Sequence, residues 1–387
     1  MNAATLAYIK QRFSSYYRTS HRRIPPALEQ REWGFIFFEP SAEVHMRRHM
    51  SFSSRQELTD YIRSMVPAHA YYSTAYYAYP AAATMNDKEW TGADLIFDLD
   101  ADHVVQGVPY DVMLARVKEE TQKLVAMLSE ELGFSEKSME LAFSGGRGYH
   151  IHIRDLETRE WGSQERRELV DYVCGIGLDP AIMLRAHPTD HGWPARYREA
   201  LAEEVTAIGS MDRGEAMAEL TANRGIGGKT AAAFLDQLPE LTARVRDHAS
   251  GIVLNSPKNR VLQAVIAGRE EQIRQRVRAR AALTDEPVTT DIKRLIRLPG
   301  SLHGGSGFRA TPISVAELDD FDPLVDAVVF GEDPMKIELG AARMTVTLLG
   351  NRYELRRGVN AVPEALAVFL CCRNVAEIAG GGMRTGA

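Results

Sequence analysis

The chain has 387 residues, 45% hydrophobic and 25% charged, an ordinary soluble globular composition with core material for two or three domains. No apolar run approaches the ~20 residues needed to span a membrane, and the N-terminus lacks a signal-peptide core. The formal net charge of −6 gives no global basic footprint, so any nucleic-acid contact must be local.

Three cysteines occur, Cys174, Cys371 and Cys372. They are too few for a four-cysteine iron–sulfur site. Adjacent Cys371 and Cys372 are awkward disulfide partners, so a reduced, cytoplasmic setting is the simplest expectation.

In chain order, residues 7 to 17 predict an amphipathic helix and residues 31 to 38 a strand. The aromatic stretch AYYSTAYYAYP, residues 70 to 80, favours extended structure. Its tyrosines fit core packing, with base stacking as the alternative.

The run ADLIFDLDAD, residues 93 to 102, is the most informative. An apolar strand ends in Asp98, Asp100 and Asp102, and strand residues two apart share a face. Carboxylates placed side by side on a buried strand need neutralising, and hard divalent cations do so through oxygen ligands. A solvated strand end is the other reading. An EF-hand loop is excluded, because the glycine and glutamate it requires are His103 and Pro109. The following segment, through Gly133, reads as one long helix without cysteine.

Residues 141 to 156, LAFSGGRGYHIHIRDL, read as strand, tight turn, strand. Gly145, Gly146 and Gly148 permit positive φ and leave amides uncovered, the makings of an anion nest. Arg147 adds a fork for phosphate oxygens. Beyond the turn, His150, His152 and Arg154 share one strand face, and such a stripe suits a triphosphate. An ordinary hairpin with polar residues outside is the alternative.

Residues 187 to 282 change character: Ala, Glu and Arg dominate and the periodicity is helical. They predict a helical insertion within a catalytic domain made of residues 1 to 186 and 283 to 387. Within the insertion, ANRGIGGKTAAAFL fails the Walker A pattern at Asn223. It is similar to a helix-hairpin-helix, where Lys229 and nearby amides could meet a nucleic-acid phosphate. A glycine-rich turn before a helix explains it equally well. The run RQRVRAR, residues 274 to 280, is either a solvated helix or a phosphate track.

Residues 285 to 308, DEPVTTDIKRLIRLPGSLHGGSGF, bring together Asp285, Asp291, Lys293, Arg294, Arg297, His303 and a glycine loop. Strand-like text follows, then a helix from about Pro363 and a terminal GGGMRTGA expected to fray.

FDLDAD, then SGGRGYHIH, then D…RLIRLPGSLHGGSG, in this order, resembles the catalytic small subunit of the archaeal and eukaryotic-type DNA primase. The flanking QREWGFIFF, MRRHMSF and VPEALAVFLCCRNVAE fit it too. The resemblance implies a mixed α+β fold, with a largely antiparallel catalytic sheet and a helical insertion.

It also implies roles. Asp98, Asp100 and Asp285 would hold two Mg²⁺ or Mn²⁺ ions. Ser144, Gly145, Arg147, His150 and His303 would bind the nucleotide, and Asp102 and Asp291 are extra acids. Arg297 and Lys229 are candidates for nucleic-acid contact.

The implied activity is DNA-templated synthesis of short RNA primers from nucleoside triphosphates, with deoxynucleotides as the alternative substrate. The implied setting is the nucleoid-associated replication machinery, with a large subunit and a single-stranded DNA template as partners. Rival readings are a primase-like polymerase of repair or end joining, and a non-catalytic single-stranded DNA-binding platform.

Two departures stand out. The segment after the acidic strand has no cysteine, so no structural zinc is expected there. Where many relatives carry lysine two residues after the SLH histidine, this chain has Gly305, leaving Arg297 or Arg309 to supply the charge.

Overall fold

The computed structural model describes residues 1–20, 22–39, 45–101, 107–179, 182–183, 192–246 and 259–379. Asp102 and the terminal GGGMRTGA lie outside them. The chain forms two units. The first comprises Met1–Gln122, Ser135–Arg167 and Thr284–Ala387; the second comprises Lys123–Phe134 and Glu168–Leu283.

The strands of the first unit are β1 (Trp33–Ile36), β2 (Met46–Met50), β3 (His69–Ser73), β4 (Ala75–Tyr77), β5 (Trp90–Ala93), β6 (Leu95–Asp100), β7 (Met139–Phe143), β8 (Gly148–Ile153), β9 (Leu295–Arg297), β10 (Thr311–Ile313), β11 (Pro334–Leu348), β12 (Asn351–Pro363) and β13 (Ala376–Ile378). Two four-stranded sheets matter most, ordered β2-β1-β3-β9 and β10-β7-β8-β6. Their pairings are antiparallel.

The first sheet forms because Trp33, Phe35 and Tyr72 alternate into an aromatic core with Phe52. The helix Ala3–Thr19 starts where the Asn2 side chain accepts the Thr5 amide, and it buries Ile9, Phe13 and Tyr17 four residues apart. Fixing that face excludes the ~100 Å² or more of apolar surface that each aromatic ring exposes when unfolded.

In the second sheet, β8 is buried along its whole length. The His150–His152–Arg154 stripe is therefore not one phosphate-facing surface. His152 is buried beneath Tyr72, whose hydroxyl lies 3.3 Å from His152 Nδ1. Arg154 pairs with Asp94 and Glu140. His150 alone of the three lines the cavity described below. A single side chain interval along the strand separates a site from a core, because the first sheet covers the stripe's far end.

The second unit holds the helices Gly192–Gly209, Arg213–Thr221, Gly228–Asp236, Leu238–Arg246, Arg260–Gly268 and Glu270–Arg278. The arginine-rich segment is bound up in ion pairs. Arg269 and Arg276 both reach buried Glu204, and Arg280 pairs with Glu199 and Glu203. Carboxylates from the facing helix satisfy these guanidinia, which weakens the phosphate-track reading of this run. Lys229 is exposed at the start of Gly228–Asp236, after a turn in which Gly225 takes φ of 90°.

Candidate active site

The pairing of β6 with β8 builds one wall. Asp98 sits opposite His150, and Asp100 opposite Gly148. His150 Nε2 lies 3.4 Å from Asp98 Oδ1. Gly148 is required because a Cβ there would stand 2.3 Å from the Leu99 carbonyl oxygen.

Asp285 reaches the same place from a distant part of the chain. Its amide donates to the Asp98 carbonyl at 2.8 Å, and the Thr284 hydroxyl donates to the same oxygen at 3.0 Å. It occupies the N-cap position of the short helix Glu286–Thr290, with no capping bond from its side chain.

The glycine turn forms the next wall. Gly145 takes φ of 78°, and a Cβ on it would stand 2.9 Å from the His303 Cβ. The turn and the SLH loop therefore pack backbone against ring. The open anion nest expected here is partly closed, since Ser144 Oγ accepts the amides of Gly146 and Gly148, each at 3.2 Å. Ser144 thus orders the turn, and its own hydroxyl proton stays available to donate.

His303 Nδ1 accepts the Gly305 amide at 3.2 Å, which leaves Nε2 as the donor. Burial, then Arg297 and His69, hold His303 well below the usual histidine range. Burial, then Arg297 and Arg294, push His150 down to about 3. Both rings are neutral at pH 7, so they act as directional hydrogen-bonding groups and not as cations.

These walls enclose a cavity of about 550 Å³. Asp98, Asp100, Ser144, Arg147, His150, Arg297 and His303 line it. Gly145 shapes the turn from behind, and Asp285 lies against Asp98. Of the two arginines open as substitutes for the missing lysine, Arg297 lines the cavity. Its guanidinium lies 4.5 Å over the Tyr71 ring and donates to the Tyr71 hydroxyl at 3.0 Å. Arg309 instead donates to the Asp326 carbonyl and to Thr311.

Tyr71, Tyr110, Arg294, Ser306 and Arg373 also line the cavity. Sequence reasoning assigned Tyr71 only a general part, in core packing or base stacking, and the other four no role. Arg294 stood in a motif already noticed. Arg373 follows a wholly buried apolar helix, and its position at that helix's C-terminus was the one available signal.

The donor chemistry suits a hard cation. Asp98 is pushed up to about 7, first by burial and then by the charges of Asp100 and Asp285. A buried carboxylate crowded by two others in this way is stabilised by a dication. Among the described residues, no three His, Cys, Asp or Glu side chains already converge as an ion-binding group.

The same shift makes a stability prediction. The folded pKa of Asp98 exceeds its unfolded value, so ionising it costs native stability. The cost grows as pH rises from the ordinary carboxylate range and is complete above about pH 7. With chelator present, Asp98→Asn should melt roughly 2–6 °C higher than the parent at pH 8, with no difference near pH 4. Thermal melts across that range check it, and equal melting at both ends contradicts the carboxylate crowding.

Residues 97–315 match the family model described as DNA primase small subunit. The match takes in the acidic strand, the glycine turn and the SLH loop. The chain is 54% identical over 380 residues to the DNA primase small subunit PriS of Methanoregula boonei, covering 98% of this chain and 100% of that protein. It is 53% identical over 384 residues to the PriS of Methanosphaerula palustris, again covering 98% and 100%. Among solved structures, the polymerase domain of Mycobacterium tuberculosis ligase D in complex with DNA matches with a TM-score of 0.37 at 13% identity, over 82% of this chain and 83% of that chain, too slight a likeness to bear on function. On the strength of the family model and of full-length relatives that share about half of its residues, the chain belongs to the DNA primase small subunit family.

Proposed function

We propose that this chain is the catalytic subunit of a DNA primase, which joins nucleoside triphosphates on a single-stranded DNA template into short RNA primers. Family membership supports the catalytic role. The observation that carries the mechanism is the polarity of the cavity, with Asp98 and Asp100 on one wall and Arg147, Arg294, Arg297 and Arg373 around them. Acids that gather cations and cations that gather phosphate are the two halves of a nucleotidyl-transfer site.

Asp98, Asp100 and Asp285 would hold two Mg²⁺ or Mn²⁺ ions, which supply Lewis-acid activation of a hydroxyl and charge neutralisation at the leaving group. The chain's own side chains do the rest. Arg147, at the tip of the glycine turn, offers its planar fork to phosphate oxygens. His303 donates from Nε2, and its neutrality lets it orient a phosphate without competing for the carboxylates. His150, beside Asp98, holds that carboxylate's direction. Ser144 keeps the turn in shape. Arg297, braced on Tyr71, supplies the charge that the family's lysine supplies elsewhere.

The partner is a large subunit. Initiation must hold two nucleotides and a template with no primer duplex to supply affinity, and a net charge of −6 attracts the template weakly. A subunit that grips the template reduces that entropic cost. De novo dinucleotide synthesis on unprimed single-stranded DNA tests the whole reading. The isolated chain should extend primers yet initiate poorly, and adding the large subunit should raise dinucleotide formation much more than extension. Extension alone, with no dinucleotide in either preparation, would identify a repair-type polymerase. Equal stimulation of both steps would remove the initiation role from the partner.

A further inference from the structure

The two histidines of β8 are used unequally by the nucleotide site. His150 lines the cavity, whereas His152 is buried behind it and has no part in the chemistry described so far. The polar atoms around the two rings nevertheless run in one direction. Arg154, held by Asp94 and Glu140, donates to the Tyr72 hydroxyl at 3.3 Å. That hydroxyl has a proton of its own to place. Among the described residues, the acceptor within its reach is His152 Nδ1, at 3.3 Å. Burial, then Arg154 and His150, keep His152 neutral. A neutral imidazole that accepts at Nδ1 carries its proton on Nε2.

His150 is fixed from the other side. Its Nε2 lies 3.4 Å from Asp98 Oδ1. An ionised carboxylate attracts an N–H and repels a lone pair, so the proton sits on Nε2 and leaves Nδ1 an acceptor. His152 Nε2 and His150 Nδ1 are both buried, and neither meets a partner among the described residues. One is a donor and the other an acceptor. Their rings are neighbours on one strand face with centroids 6.3 Å apart, a separation that one bridging water spans. Each would cost desolvation free energy if left unmet in the interior, and joining them removes both costs. We propose that Arg154, Tyr72, His152, His150 and Asp98 form one hydrogen-bond chain with every donor directed towards Asp98, in which Tyr72 and His152 are positioning residues for that carboxylate. This rests on the reading that Asp98 holds a catalytic cation. No proton is transferred. The chain holds His150 in one tautomer and one orientation, so that Asp98 meets a fixed donor on one side and keeps its remaining lone pairs for the cation. Bonds that all point the same way polarise one another, which strengthens the contact at the carboxylate.

Tautomers and kinetics together test it. The full chain labelled with ¹⁵N-histidine, in chelator at about pH 8, should show both rings as the Nε2–H tautomer in two-bond ¹H–¹⁵N spectra. The signals are assigned by their loss in His150→Gln and His152→Gln. Tyr72→Phe keeps the ring that stacks on His152 and removes only the hydroxyl. It should turn His152 into a mixture of tautomers. In primer extension it should lower kcat about fivefold, the scale of one net hydrogen bond, and leave the KM for nucleoside triphosphate unchanged. His152→Leu should lower kcat at least as much, and His152→Gln, which keeps a donor and an acceptor, should recover most of that loss. An Nδ1–H tautomer at either ring of the parent, or a His152 indifferent to Tyr72→Phe, overturns the chain. Parental kcat in both Tyr72→Phe and His152→Leu, or a rise in KM alone, overturns the positioning role. The tautomers are read without turnover, so they stand or fall apart from the cation reading, which the activity of Asp98→Asn tests.

Discussion

Asp98→Asn and Asp100→Asn should each abolish primer synthesis, lowering kcat by about 10³-fold or more while the fold survives, on the scale of removing a principal charge-stabilising group from a reaction centre. Asparagine keeps the shape and the hydrogen-bonding reach of the side chain, so the β6–β8 pairing and the contact with His150 need not change. What disappears is half of a negative charge pair that would hold the cations. Asp285→Asn should behave likewise, although it comes from a segment nearly two hundred residues away, because its backbone is tied to the Asp98 carbonyl. Steady-state extension assays in Mg²⁺, with circular dichroism to establish folding, check this. Near-parental activity in either strand variant would sink the carboxylate assignment. The same Asp98→Asn protein should melt higher than the parent in chelator, and a loss of activity with a gain of stability is the signature of a site whose charges are held against their own repulsion.

The next largest effect is expected at the phosphate wall. Arg147→Ala should raise the KM for nucleoside triphosphate and lower kcat/KM by roughly 10- to 100-fold, the scale of a charge-assisted hydrogen bond of about 1.5–3 kcal/mol. Arg147→Lys should recover only part, because an ammonium restores charge without the planar fork. His303→Ala should lower kcat/KM by a smaller factor, as a neutral donor is lost and no charge. Since burial and Arg297 keep His303 neutral, its contribution should not vary between about pH 6 and 8. Unchanged kinetics in both alanine variants would remove the triphosphate from these two walls.

The relation between text and fold differs from motif to motif. The acids of β6 were legible because a strand's period is two: Asp98 and Asp100 share a face wherever the strand lies. The glycine turn was legible because SGGRG admits few backbones. The stripe His150–His152–Arg154 was read by the same period and gave a broader phosphate surface than the molecule has. Periodicity says which side chains share a face and says nothing of what covers it. Here Tyr72 and Asp94 claim His152 and Arg154, and the cavity begins one pair further along. Ser144 shows the same limit at atomic scale. The loop's amides are free in the text, yet two are taken by the serine's own oxygen.

By itself the sequence determined the elements and the chemistry on offer: an acidic strand, a glycine turn, a histidine loop and a helical stretch, in an order that matches one family. These are local properties, governed by neighbours a few residues apart. Only the tertiary structure decided how Asp285 meets Asp98, through its amide on the Asp98 carbonyl, that Arg297 and not Arg309 faces the cavity, and that Arg373 and Tyr110 line it too. Those outcomes depend on strand register and on which sheet covers which face, and they join residues far apart in the chain whose encounter no local pattern encodes.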